Sequence, residues 1–160
     1  MKKPTFSKLG DIWTLGKHKV ICGDSTDPAT FEKLLGETKA NLVCTDAPYF
    51  VELKNKSGTI ANDNLNDKQG YEFLLKVFTN FKNAMALDAS IYEFYATMKT
   101  RVFYDAFEDA GFKVTSSFQY DDSVEIGSLI WSQLYGAGEK TANISGMEIR
   151  NRQPSLNSME

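Results

Sequence analysis

The residues best placed to do chemistry are Asp46-Ala47-Pro48-Tyr49, which follow the apolar run Leu42-Val43-Cys44-Thr45 without a break. A carboxylate held beside an aromatic ring at the end of a buried strand can accept a hydrogen bond from an amino group. The ring can meanwhile stack on the planar system that bears that group. Pro48 stiffens the turn and has no N–H, which leaves neighbouring carbonyls free to face a ligand. A plain strand-to-loop turn, with Asp46 capping and Tyr49 packing, fits the same four residues equally well. Metal chemistry is a poor fit: Cys22, Cys44 and the single histidine, His18, show no ligand spacing. Two cysteines are also too few for a disulfide framework, and each ends an apolar run, so both are expected as buried thiols.

Positioning these groups requires strands and helices in alternation. Val20-Ile21-Cys22 reads as a short buried strand closed by Gly23-Asp24. Asp27-Pro28 fits an N-cap with proline at the first helical position, Phe31, Leu34 and Leu35 share a helical face, and Gly36 stops the helix. With a strand over 41–45 this makes a strand-helix-strand unit. Such units are parallel and right-handed, which sets Gly23-Asp24 and the 46–49 turn on one carboxyl edge, where open α/β sheets bind ligands. Residues 50–69, rich in Asn, Asp and Lys, read as a long mobile loop over that edge.

Tyr71, Leu74, Leu75, Phe78, Phe81 and Met85 then trace a helix, a strand follows over 90–95, and a helix over 99–110 points Val102, Phe103, Ala106 and Phe107 inward. Gly111 is its expected C′ residue, and Phe112-Lys113-Val114 begins another strand. Regular alternation of this kind is the pattern of an α/β doubly wound sheet. Beyond Ser116 the expectations are a turn at Asp121-Asp122, a strand over 124–126, a tight junction at Gly127-Ser128, a helix over 129–135 and a strand over 144–149. A polar tail closes the chain.

Length and charge narrow the class. A chain of 160 residues suits one domain with a two- or three-layer core. With 18 basic against 21 acidic residues it does not hold nucleic acid by bulk charge, so any such contact is local. Lys2, Lys3, Lys8, Lys17 and Lys19, opposed by Asp11, could touch phosphates or simply form a solvated surface. No apolar run approaches the roughly 20 residues of a membrane helix, and a cytosolic protein is expected.

Several segments together resemble a known family. VICGD at 20–24, DAPY at 46–49, IANDNL at 60–65, SIYEFYA at 90–96 and AGFKV at 110–114 stand in the order and spacing of phage and prophage DNA adenine methyltransferases. Gly10-Asp11-Ile12-Trp13, Leu15-Gly16 and Cys22-Gly23-Asp24-Ser25 are similar as well. These are S-adenosylmethionine-dependent amino-methyltransferases in which the catalytic motif, usually Asp-Pro-Pro-Tyr, precedes the cofactor motif. The likeness covers residues 10–114.

It implies a three-layer, doubly wound, Rossmann-like sheet and methyl transfer to the exocyclic N6 of an adenine flipped out of DNA, as in restriction-modification systems. By the resemblance, Asp46 and the Ala47 carbonyl would hold the amino group, Pro48 would shape the turn, Tyr49 would stack on the base, and Gly23 and Asp24 would face the cofactor. Ala47 stands where relatives have proline, and Tyr95 where they often have histidine.

The family continues with a recognition region and a Phe-x-Gly-x-Gly loop, which this sequence lacks. DSVEIGSLI at 122–130 resembles a reduced form of that loop, with Gly127 and Ser128 as cofactor residues, and Tyr135-Gly136-Ala137-Gly138 is the alternative. Gly146-Met147-Glu148-Ile149 resembles the strand whose acidic residue, here Glu148, binds the ribose hydroxyls. The expected organisation is a catalytic half over 1–118, a reduced cofactor half over 119–150 and a flexible tail over 151–160. Expected partners are DNA and either a second copy or another methyltransferase chain. Two rivals stand beside this reading: an inactive relative serving as a binding module or partner subunit, and a nucleotide-binding α/β protein whose 46–49 segment is only a turn.

Overall fold

A computed structural model describes the backbone of residues 6–52, 54–55, 58–122 and 125–133, and side-chain surroundings over 6–52 and 60–117. The strands β1 (Ile12–Leu15) and β2 (His18–Ile21) pair with each other, as do the short β4 (Lys54–Asn55) and β5 (Gly58–Thr59). The main sheet has four strands in the order β3 (Ala40–Asp46), β6 (Met85–Ala96), β8 (Glu125–Gln133) and β7 (Ser116–Asp122). β3 and β6 are parallel, joined through helix α2 (Asp67–Ala84), whereas β8 is antiparallel to both β6 and β7.

The α/β class is as expected, and local sequence explains most of its elements. Helix α1 (Pro28–Leu35) starts on Asp27, whose carboxylate accepts the Ala29 N–H at 3.0 Å, and ends at Gly36 with φ 61°. Such left-handed backbone favours a residue without Cβ. Helix α2 begins with a reciprocal capping box: Gln69 N–H donates to Asn66 Oδ1 at 3.0 Å and Asn66 N–H to Gln69 Oε1 at 3.2 Å. Its Gly70, Leu74, Val77 and Phe78 face inward. Helix α3 (Thr100–Asp109) buries Phe103, Ala106 and Phe107, and Gly111 follows it with φ 87°.

The aromatic rings of α2 and α3 meet over β6. Phe78 and Phe107 pack edge to face at 5.2 Å, and Phe107 stacks on Phe112 at 4.7 Å. Phe78, Phe103 and Phe107 are fully buried, each contributing about 1.5–3 kcal/mol of burial free energy. Period-2 geometry divides the sheet. Val43 and Thr45 of β3 share a face with Ile91, Glu93 and Tyr95 of β6, and this face lies under the helices. Leu42, Cys44 and Asp46 share the opposite face with Ser90, Tyr92 and Phe94, where every residue is exposed or half-exposed. The described residues thus supply the sheet and one helical layer of the expected architecture, with α1 resting on α2 and β2.

Four local expectations are corrected. β2 is not a buried strand parallel to β3. Its turn at Gly16-Lys17 favours local closure, and it forms an exposed antiparallel hairpin with β1. The sheet does not continue in parallel after α3: Phe112-Lys113-Val114 is irregular, and an antiparallel hairpin, β7 and β8, fills the place beside β6.

The helix expected over 129–135 is strand through Gln133, because Leu129, Ile130 and Trp131 suit a pleated surface and β6 offers a free edge. The thiols are not buried: Cys22 follows the exposed hairpin and Cys44 lies on the uncovered sheet face. Residues 134–160, including the alternative glycine loop, the strand expected over 144–149 and Glu148, lie outside the described residues. Among those described, no helix is long and apolar enough to cross a membrane.

Candidate active site

Asp46 is the last residue of β3, paired in register with Phe94 of β6, and its side chain is exposed at the carboxyl edge of the parallel pair. Thr45 is the partner of Glu93 in the same ladder. Asp46 therefore belongs to the uncovered face and Glu93 to the face beneath the helices. The chain turns away at Ala47, and its N–H donates to Glu93 Oε1 at 3.2 Å. Pro48 and Tyr49 follow, both half-buried.

Glu93 was not among the residues singled out from sequence. Its side chain is wholly buried, and Oε2 has no hydrogen-bond partner among the described residues. Burial pushes its carboxyl well above the ordinary glutamate range. The Ala47 N–H opposes that shift and the nearby Asp46 charge adds to it. The available signal was the alternation Ile91, Glu93, Tyr95, which puts an acid in the inward phase of an apolar strand.

Phe50 was likewise missed. It adopts φ 58°, unusual for a bulky residue, and is buried against Phe103 at 5.8 Å and Phe73 at 6.4 Å. Helix α2 makes room for it at Gly70, where a Cβ would stand 2.9 Å from the ring. The loop after it is also tied down. Val51 N–H donates to Asp63 Oδ1 at 3.5 Å and Glu52 N–H to the Asp63 carbonyl at 3.1 Å, and Asp63 itself is buried. Asn62 and Glu52 share the positive φ of Phe50. Backbone held in such conformations is over-determined by its surroundings and concentrates where geometry is used. Residues 50–52 are therefore tied down directly after the 46–49 turn.

Of the expected cofactor residues, Gly23 and Asp24 lie on the segment between β2 and α1, and Glu148 lies outside the described residues. Gly23 packs against α1, where a Cβ would stand 2.4 Å from Thr30 Cγ2, so its lack of a side chain serves packing. Asp24 Oδ1 accepts both the N–H and the hydroxyl of Thr26 at 2.8 Å, which holds this exposed carboxyl below its ordinary value. The neighbouring Ser25 carbonyl is held by Asn80 Nδ2 at 3.0 Å, close to the end of α2 from which β6 departs.

This tie, with the nearby Lys76 charge, sets Asp24 beside α2, on a segment whose strand β2 does not join the main sheet. Gly127 and Ser128 are not in a loop. They pair with Ala96 and Tyr95 inside β8, which does bring them to the same edge as Asp46. A cleft of about 290 Å³ between α1 and α2, lined by Phe31, Leu35, Lys39 and Asn80 among others, contains none of the expected site residues.

No family model and no curated relative matches the sequence. Among solved structures, an rRNA methyltransferase, aviRa from Streptomyces viridochromogenes, is similar over 69% of this chain at 16% identity, with a TM-score of 0.41. The M1.HpyAVI-SAM complex is similar over 69% at 15% identity, with a TM-score of 0.40. The aligned part spans 36% of the first chain and 58% of the second.

Proposed function

We propose that this chain carries the acceptor side of an S-adenosylmethionine-dependent methyl transfer to the exocyclic N6 of adenine in DNA. The observation that carries the reading is an exposed carboxylate at the end of β3, joined to a proline-stiffened aromatic turn whose backbone is pinned from below by Glu93. Asp46 Oδ and the Ala47 carbonyl accept the two amino hydrogens, which turns the nitrogen lone pair out of the ring plane and toward the methyl donor. Tyr49 offers its ring to the flipped base, a contact worth about 1–3 kcal/mol in comparable sites. The half-exposed Tyr92 and Phe94 continue the same sheet face.

The described residues expected at the methyl donor have other local partners, and Glu148 lies outside the described residues. Gly23 packs on Thr30, Asp24 lies beside α2 and holds Thr26, and Gly127 is strand. No residue is therefore assigned to the methyl donor here. In a second reading the chain binds an amino-bearing base at the exposed Asp46 and the half-buried Tyr49 without modifying it, as a partner subunit or binding module.

The deciding experiment follows transfer of a labelled methyl group from S-adenosylmethionine to adenine-containing duplex oligonucleotides, alongside calorimetric titration of the cofactor. Cofactor binding and transfer that is lost in Asp46→Ala, with binding of the cofactor retained, support the enzyme. No binding at millimolar cofactor leaves the binding-module reading, and transfer that survives in Asp46→Ala refutes the role of Asp46.

A further inference from the structure

Ala47 lies just past the end of β3, two residues beyond the ladder partner of Glu93, and each of the two is chemically unusual for its place. Glu93 is an acid in the apolar layer beneath the helices, in line with Ile91 and Tyr95, and is 0% exposed. Ala47 stands immediately before Pro48, and a proline at 47 would have no N–H. The contact between them, Ala47 N–H to Glu93 Oε1 at 3.2 Å, exists only because 47 is not proline. Glu93 Oε2 finds no further partner among the described residues, so the Ala47 N–H is the one polar group shown to receive this buried side chain.

We propose that Glu93 is the positioning residue of the 46–49 turn, replacing by a hydrogen bond from beneath the sheet the stiffness that a second proline would give. The bond fixes the plane of the Asp46–Ala47 peptide. That plane in turn sets the Cα atom from which the Asp46 side chain leaves on the uncovered face. Two carboxyl groups thus act on one peptide from opposite sides of the sheet: Glu93 holds it, and Asp46 presents an acceptor to the ligand. The positioning role rests on the proposed acceptor site for its purpose, but the bond and its effect on the backbone can be measured independently.

The test is a double-mutant cycle on the full chain, using Ala47→Pro, Glu93→Val and their combination, with Glu93→Gln as the conservative variant. Two readouts are used: amide hydrogen exchange at Ala47 by NMR, and the split of methyl-transfer kinetics on an adenine-containing duplex into kcat and KM. Glu93→Gln keeps an acceptor oxygen and leaves Ala47 exchange slow and kcat within about threefold, whereas Glu93→Val speeds the exchange and lowers kcat by about 10²-fold, the cost typical of a slightly misplaced group.

Ala47→Pro alone strands the buried carboxyl and lowers the melting temperature, and adding Glu93→Val restores it, which gives a coupling that independent sites would not show. Equal Ala47 exchange in wild type and Glu93→Val, or additive effects in the cycle, would overturn the proposal. Absence of methyl transfer in the wild-type chain sinks the functional reading instead, while the exchange and stability data still decide the role of Glu93.

Discussion

At the scale of single residues, the site depends on how a few carboxyl groups are solvated. Asp46 is exposed and Glu93 is buried, although only the strand pleat separates them. Removing the Asp46 charge while keeping its shape, as in Asp46→Asn, is expected to slow methyl transfer by about 10²-fold, the usual cost of losing an oriented electrostatic partner. Glu93 carries a pH dependence of its own. Its folded-state carboxyl binds a proton more tightly than in the unfolded chain, so its contribution is fullest below the ordinary carboxylate range. It is lost as pH rises toward the raised folded value. Thermal unfolding followed from pH 4.5 to pH 8 (about the span over which a raised carboxyl diverges from a free one) should show stability falling in the wild type relative to Glu93→Gln. A parallel course for the two proteins would show that Glu93 is already ionised when folded. Asp46 was legible in the sequence because its motif is contiguous. Glu93 was not, because its partner lies 46 positions away and only the ladder brings them together.

At the scale of elements, helix α2 does more than cross between two parallel strands. Its capping box fixes where the loop ends, and Gly70, one turn in, leaves the space that Phe50 fills. Phe50→Ala should cost about 3–5 kcal/mol, as for other large-to-small aromatic changes in cores, and should loosen the 46–49 turn. Urea unfolding would measure the cost, and a loss under 1 kcal/mol, about that of a surface change, would mean that the ring does not anchor the loop. Asn66→Ala should remove about 1 kcal/mol through the lost cap and leave methyl transfer unchanged. The capped starts of α1 and the glycine stops of α1 and α3 were readable from local sequence, since a helix end is decided by a few adjacent residues. The hold on Phe50 and Asp63 within the stretch over 50–69 was not legible, because the groups that provide it come from helices and from backbone eleven or twelve positions away.

For the whole molecule, the described residues form a sheet with one face under helices and the other, with Leu42, Cys44 and Asp46, open. Both cysteines should therefore react quickly with a thiol reagent in the native protein, and slow labelling of Cys44 would show that the face is covered in solution. The sequence by itself determined the alternation of β3, α2 and β6, the amphipathic helices and the acidic aromatic turn at a strand end, because these arise from contiguous periodicity and capping. Only the tertiary structure decided that β2 folds back on β1, that β8 enters the sheet as an antiparallel strand, that Gly127 lies within it, and that Glu93 reaches Ala47. Each of these is a choice of pairing partner between distant segments, and apolar residues alternating along a strand carry the face that will be buried but not the neighbour that will bury it.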